Sequence, residues 1–313
     1  MSIELQDRQM LGRRHFLKSL FGLGGALESS EPAHGKGKPT PAKGTFRFFW
    51  TDLHTGQIGF PSGQVIPSGM PGSLMKLVAA AALLESRIIS PDDKFECRGT
   101  YQCGAHEAVH CLYPHGLVDL THAIGLSCNI YFAQAAQQLS PSVFLHYAAD
   151  FGLNEAVGSF ASGKFPKQAA HPAWKYVLGL APDFQPNALQ IMRMSALIAN
   201  KGTVPFMHSA EEPNSDGKPF KLTLSNGSFN LLQQGMEIAC RDGTGKNLDP
   251  ENKLHVALKT GTTPHGTSFQ SWVTGYFPWQ SPRYAFCLRS QAGTSYDQAI
   301  PALKKFLFGT TWP

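Results

Sequence analysis

Residues 254–277 read LHVALKTGTTPHGTSFQSWVTGYF, and two parts of this stretch, 254–260 and 268–277, alternate or are β-branched and aromatic on either side of GTTPHGT. Such a pattern predicts two strands joined by a turn. Residues 284–290 read as a third strand. At the other end of the chain, Phe46 to Trp50 and Ile58 to Phe60 flank a glycine-containing turn and predict an opening hairpin. Between these ends, residues 73–85, 129–139, 143–151, 188–200 and 229–240 carry apolar residues at helical spacing, and 297–308 closes as an amphipathic helix. Pro301 sits near the start of that last helix, where its missing N–H does little harm. Strands from both termini around a helical middle imply a mixed α/β (α+β) fold. One antiparallel sheet is built from the two chain ends.

The chain has 313 residues, 42% hydrophobic and 16% charged, enough to bury a sizeable core and too apolar for a disordered protein. Its net charge is +5, of which residues 1–43 hold +3, so the body is close to neutral and no nucleic-acid partner is expected. The longest apolar run, Leu77 to Leu84, falls short of the ~18 residues of a membrane span, and no transmembrane helix is expected. Residues 1–27 contain Gly12-Arg13-Arg14-His15-Phe16-Leu17-Lys18 ahead of a weakly apolar stretch, which resembles a twin-arginine export signal. Residues 28–44, rich in Pro, Gly and Lys, read as a flexible linker, leaving 45–313 as the folded body. The expected location is periplasmic, soluble or loosely membrane-attached.

Three short motifs follow one another along the body. Ser73-Leu74-Met75-Lys76 places a hydroxyl and an amine three residues apart at a helix start, the arrangement of a nucleophile and its base. A second S-x-x-K, Ser215 to Lys218, sits in a polar turn with no helix to fix the pair. Ser127-Cys128-Asn129 offers a hydroxyl for proton relay and an amide for holding substrate; helix capping is the alternative role for Ser127. Ser228-Phe229-Asn230 repeats the pattern at a helix start, where capping explains it. Lys259-Thr260-Gly261-Thr262 closes the first predicted strand with a cation and hydroxyls for a carboxylate. A glycine there lets an extended peptide lie alongside.

Taken together, Ser73-x-x-Lys76, Ser127-x-Asn129 and Lys259-Thr260-Gly261, separated by 54 and 132 residues, resemble the three motifs of penicillin-binding protein transpeptidase domains and serine β-lactamases. Met70-Pro71-Gly72-Ser73 and Gln185-Pro186-Asn187-Ala188-Leu189-Gln190 are similar to further stretches of that family. The resemblance spans residues 46–308. It implies a five-stranded antiparallel sheet with flanking helices and an inserted helical lobe, with the site in the groove between. It also implies a serine acyl-enzyme on stem peptides ending in D-Ala-D-Ala. Ser73 would be the nucleophile, Lys76 its base, and Ser127 with Lys259 the proton relay to the leaving D-Ala. Asn129, Thr260, Gly261 and Thr262 would hold substrate, and the backbone N–H groups of Ser73 and Thr262 would form the oxyanion hole. The implied partners are peptidoglycan stem peptides, β-lactams and cell-wall synthesis proteins, with no cofactor. A D,D-carboxypeptidase, a class D-like β-lactamase or a penicillin-binding sensor are the alternatives. Glu155 and Glu107 are the carboxylates considered for deacylation, by residue type alone.

His106-Glu107-Ala108-Val109-His110 also fits the H-E-x-x-H pattern of a zinc site, though with little helical context. Two other roles for this segment are a loop stapled by Cys97 with Cys111 or Cys103, and a structural zinc site drawn from Cys97, Cys103, His106, His110 and Cys111. Cys128, Cys240 and Cys287 read as small buried hydrophobes.

Overall fold

The computed structural model describes residues 46–60, 65–211 and 217–312. The export signal and linker expected over 1–44, and Ser215 of the second S-x-x-K, lie outside the described residues. In chain order the elements are β1 (Phe46–Asp52), β2 (Gln57–Gly59), a 3-10 turn over Gly72–Met75 and helix α1 (Lys76–Glu85). Four short strands follow, β3 (Phe95–Cys97), β4 (Thr100–Gln102), β5 (Ala108–His110) and β6 (Gly116–Val118). Next come α2 (Leu120–Gly125), α3 (Asn129–Ala135), α4 (Pro141–Asp150), α5 (Ala173–Val177) and α6 (Ala188–Ala199). The chain continues through β7 (Thr203–Val204), β8 (His208–Ser209), β9 (Phe220–Lys221) and α7 (Asn226–Arg241). It ends with β10 (Ala257–His265), β11 (Ser268–Phe277), β12 (Tyr284–Ser290), a π-turn over Ser295–Ala299 and α8 (Ile300–Gly309).

The main sheet has the order β10-β11-β12-β1-β2-β8, so strands from the two chain ends meet at β12 and β1, paired antiparallel from Phe46↔Ser290 to Asp52↔Tyr284. The five antiparallel strands are the expected ones. A sixth, two-residue strand from the middle of the chain, β8, adds in parallel at the β2 edge. The opening hairpin turns because the Asp52 carboxylate accepts the N–H groups of His54 and Thr55, at 2.7 and 3.1 Å. All seven residues of β12 are buried, since the sheet is covered on both faces. On one face the helical lobe packs, and on the other Phe48, Val273 and Leu288 meet Leu303 and Leu307 of α8.

β10 differs from expectation in a way that matters for the site. The strand begins at Ala257 and runs through His265, with unbroken pairing to β11, so Lys259-Thr260-Gly261 lies inside the strand rather than at its end. The turn is confined to His265-Gly266-Thr267-Ser268, where Gly266 takes φ +57°. Pro264 is tolerated within β10 because that strand is the sheet edge. An edge strand leaves one side of its backbone open.

Two buried helices brace this frame. In α1, KLVAAAALLE, residues Lys76 to Leu83 are all buried, and a sequence apolar on every face belongs in the centre of the molecule. Every residue of α6 is buried too. Its N-terminus is fixed by a capping box in which Asn187 Oδ1 accepts from Gln190 N at 2.9 Å and Gln190 Oε1 from Asn187 N at 2.8 Å. Asn187 Nδ2 also donates to Ala161 O at 2.8 Å, and the Ser195 and Thr274 hydroxyls, 2.7 Å apart, tie α6 to β11. Asn187→Ala removes the cap and leaves buried backbone groups unpaired. It is expected to cost about 1–2 kcal/mol in urea unfolding, and an unchanged midpoint would contradict this account of how α6 is anchored.

Candidate active site

Ser73 stands in the 3-10 turn that leads into α1, half-buried, and no side chain caps either helical start. Among the described residues its hydroxyl makes no hydrogen bond. The turn is pinned against the edge of the sheet. Met70 O accepts from Trp272 Nε1 at 3.1 Å and from Thr263 Oγ1 at 3.4 Å, while Gly72 N donates to Gly179 O at 3.1 Å. Two glycines permit the close approach. A Cβ on Gly261 would stand 2.5 Å from Pro71 O, and one on Gly72, where φ is +58°, would stand 3.2 Å from Thr262 N.

Lys76 does not hydrogen-bond Ser73. Its Nζ donates instead to Ser127 O at 2.6 Å, to Asn129 Oδ1 at 2.6 Å and to Ser127 Oγ at 3.2 Å. Lys259 Nζ, from β10, reaches the same Ser127 Oγ at 2.8 Å and donates to Thr260 O at 3.1 Å. One hydroxyl is therefore shared by two lysines from α1 and β10. Both lysines are fully buried. Burial lowers Lys76 to about 8, partly offset by the Cys111, Cys128 and Cys97 thiols, and burial together with Lys76 holds Lys259 well below its ordinary value. Two ammonium groups within about 6 Å of each other repel by about 3 kcal/mol at an effective dielectric of ~20. Each positive charge therefore disfavours the other.

Ser127 is held in an uncommon conformation for this purpose. Its φ is +56°, a left-handed value that a residue with a Cβ adopts at some cost. Bonds on each side enforce it: Ser127 N donates to Ile124 O at 3.2 Å, Cys128 N to Ala123 O at 2.9 Å, and Lys76 takes the carbonyl. The cap of α3 is Cys128, whose Sγ accepts from Tyr131 N at 3.3 Å, so the capping role considered for Ser127 falls away. The repeat at Ser228-Phe229-Asn230 lies within α7, capped by Ser225 through Ser228 N at 3.1 Å.

The penicillin-binding protein transpeptidase domain matches residues 63–306. The chain belongs to that family. Penicillin-binding protein PbpB of Mycolicibacterium smegmatis is 26% identical over 267 residues, covering 75% of this chain and 41% of the relative. The chain thus spans less than half the length of that curated relative. Pseudomonas aeruginosa PBP2 in complex with WCK 5153 superposes with a TM-score of 0.74 at 20% identity, over 85% of this chain and 70% of the other. A chain from a study of a peptidoglycan synthase complex that coordinates polymerization and crosslinking gives 0.76 at 21% identity, over 87% and 57%. These structural likenesses establish the fold.

Within this transpeptidase domain the substrate-holding candidates are partly occupied. Asn129 accepts from Lys76 through its oxygen and donates one amide N–H to His110 O at 2.7 Å, which leaves its second amide N–H. The Thr260 hydroxyl donates to Thr244 Oγ1 at 2.7 Å, and Thr262 pairs with Ser295, whose N–H donates to Thr262 Oγ1 at 3.1 Å. Thr244 and Ser295 went unnoticed in the sequence; the one signal available was the turn-like Gly243-Thr244-Gly245 ahead of the strand. Glu107 is exposed and ion-paired with Lys175 at 2.7 Å, and the exposed Glu155 contributes its backbone carbonyl to Gln190 and Arg193. Neither carboxylate hydrogen-bonds Ser73, Lys76 or Ser127.

The H-E-x-x-H segment forms no helix: His106 and Glu107 lie in a turn and Ala108–His110 is β5, which removes the one-turn spacing a zinc pair needs. All six cysteines are free thiols, so no staple joins Cys97 to Cys111 or Cys103. Of the metal candidates, Cys97 and Cys111 come together with His115 and Cys128, while Cys103, His106 and His110 stay outside that group. Gly261→Ala should force β10 away from Pro71 and slow acylation by a fluorescent penicillin by about 100-fold, the scale of a ~1 Å misplacement. An unchanged acylation rate in a folded variant would contradict the close fit between β10 and the Ser73 turn.

Proposed function

We propose that this domain is a peptidoglycan D,D-transpeptidase acting through a serine acyl-enzyme. The observation that carries the reading is Ser127 Oγ shared between Lys76 and Lys259 at 3.2 and 2.8 Å, with Ser73 in the turn that leads directly into the helix of Lys76. In the proposed reaction Ser73 Oγ attacks the penultimate D-Ala carbonyl, and neutral Lys76 takes the proton. The Ser73 and Thr262 N–H groups receive the oxyanion, at a contribution of about 3 kcal/mol each. Ser127, polarised by Lys259, passes a proton to the amine of the departing D-Ala. The acyl-enzyme is then resolved by an amine of a second stem peptide, forming a cross-link.

The substrate's terminal carboxylate meets the hydroxyls of Thr260 and Thr262, with Thr244 and Ser295 completing the row. The stem peptide lies along β10 as an added strand, with Gly261 keeping that side open. Asn129 at the second motif, and the lack among the described residues of a carboxylate hydrogen-bonded to Ser73, favour transfer to an amine over rapid hydrolysis. Export to the periplasm by the twin-arginine route belongs to the same proposal, as does work alongside cell-wall synthesis partners, which the synthase-complex neighbour supports. Among the described residues no helix is long and apolar enough to cross a membrane.

A fluorescent penicillin tests the reading. Wild type is expected to label and keep its label for hours. Ser73→Ala should not label at all, and Ser215→Ala should label as wild type does. Rapid loss of label from wild type would favour a β-lactamase. Equal behaviour of the two variants, or an unlabelled wild type, would overturn the assignment of the nucleophile.

A further inference from the structure

Four ligand-type atoms gather beneath the second motif: Cys97 Sγ, Cys111 Sγ, His115 Nδ1 and Cys128 Sγ all lie within 4.8 Å of one another. Cys97 Sγ is 3.3 Å from His115 Nδ1, and Cys111 Sγ is 3.7 Å from Cys128 Sγ. Zinc–sulfur bonds of ~2.3 Å and zinc–nitrogen bonds of ~2.0–2.1 Å set tetrahedral edges of about 3.8 Å between sulfurs and about 3.6 Å between sulfur and nitrogen. The Cys97–His115 and Cys111–Cys128 pairs already stand close to those separations, and the remaining pairs lie within 4.8 Å. The three cysteines are almost wholly buried, at 1%, 4% and 0% exposure, and His115 is half-buried.

We infer that Cys97, Cys111, His115 and Cys128 form a structural zinc site that holds the loop carrying Ser127 and Asn129. Three features argue for a metal over a group of packed thiols. First, a disulfide would use only two of the three sulfurs and leave the third and the imidazole without a role. Second, the sulfurs accept backbone N–H groups, Asn129 N to Cys111 Sγ at 3.2 Å and Tyr131 N to Cys128 Sγ at 3.3 Å, as metal-bound thiolates do. Third, the segment that supplies three of the ligands has little core of its own: β3 pairs with β6 and β4 with β5, each over three residues, while Leu112, Tyr113 and Leu117 are exposed. Short paired strands of this kind gain much of their order from a metal staple. The tetrahedral four-ligand set leaves no open position, so the ion is structural rather than catalytic.

The placement gives the site a consequence. Cys128 sits between Ser127 and Asn129, and Cys111 follows His110, whose carbonyl accepts from Asn129 Nδ2. Zinc therefore fixes both sides of the second motif, including the left-handed turn at Ser127. On binding, three S–H protons pass to solvent as three S–Zn bonds form, and no electrons are transferred.

Metal content is the test, with the full chain purified without added chelator. Wild type is expected to carry close to one equivalent of zinc by mass spectrometry, and Cys103→Ser the same. Cys97→Ser and His115→Ala should each fall at least fivefold. Cobalt(II) added to zinc-stripped protein should give the intense visible bands of a tetrahedral thiolate site. Stripping should slow penicillin acylation about tenfold or more, with recovery on zinc addition. Wild type that holds no zinc and shows no tetrahedral cobalt spectrum, or a Cys111 to Cys128 disulfide in the native protein, would overturn the inference. Zinc bound to a protein that never labels with penicillin would instead overturn the transpeptidase reading and leave the metal site standing.

Discussion

Two buried lysines aimed at one serine hydroxyl are the constraint around which this domain is organised. A charged ammonium removed from water is costly, and two within hydrogen-bonding distance of the same oxygen are costlier still. The fold meets that cost in specific ways. Lys76 is given a carbonyl, an amide oxygen and a hydroxyl as acceptors, and Lys259 a hydroxyl and its neighbour's carbonyl. Burial then lowers both towards neutrality. In the proposed mechanism a neutral Lys76 serves as the base for Ser73, and the Ser127 hydroxyl between the two amines serves as the relay. The chemistry thus follows from desolvation more than from any unusual group.

The rest of the architecture keeps the three motifs in register. α1, apolar on all sides, fixes Lys76 in the centre, and β10 fixes Lys259 through continuous pairing with β11. The Ser73 turn is clamped to β10 and β11 through Met70 O, with Gly72 and Gly261 allowing backbones to touch. The second motif depends on the short strands over 95–118, where His110 O accepts from Asn129 Nδ2. That dependence is why a cluster of three thiols and an imidazole directly beneath it has meaning for the site rather than for stability alone.

Much of this was legible in residue order. Alternation over 268–277 and 284–290 marked β11 and β12 at the bounds they have, because both are fully paired, regular strands. The three motifs were readable because each is a short local spacing. Their convergence depended on the family resemblance, since sequence separation of 132 residues says nothing about distance. The length of β10 was misjudged because Pro264 reads as a breaker, and only its place at the sheet edge makes it harmless. Thr244 and Ser295 were missed since a single hydroxyl in a turn carries no pattern. Of the four clustered residues, Cys97 and Cys111 were visible as metal candidates, but His115 and Cys128 join them through β3–β6 pairing and the cap of α3, neither of which a linear spacing rule for zinc describes.

The most direct test of the central claim is an NMR titration of the lysine side chains, with Lys76 and Lys259 assigned through Lys76→Arg and Lys259→Arg. Lys76 is expected to lose its proton near pH 8, mostly neutral above that and mostly charged below it, well under the ~10.4 of a free lysine. Lys76 and Lys259 both titrating at the free-lysine value would mean that two full charges coexist around Ser127, and the proposed base and relay would have no physical basis.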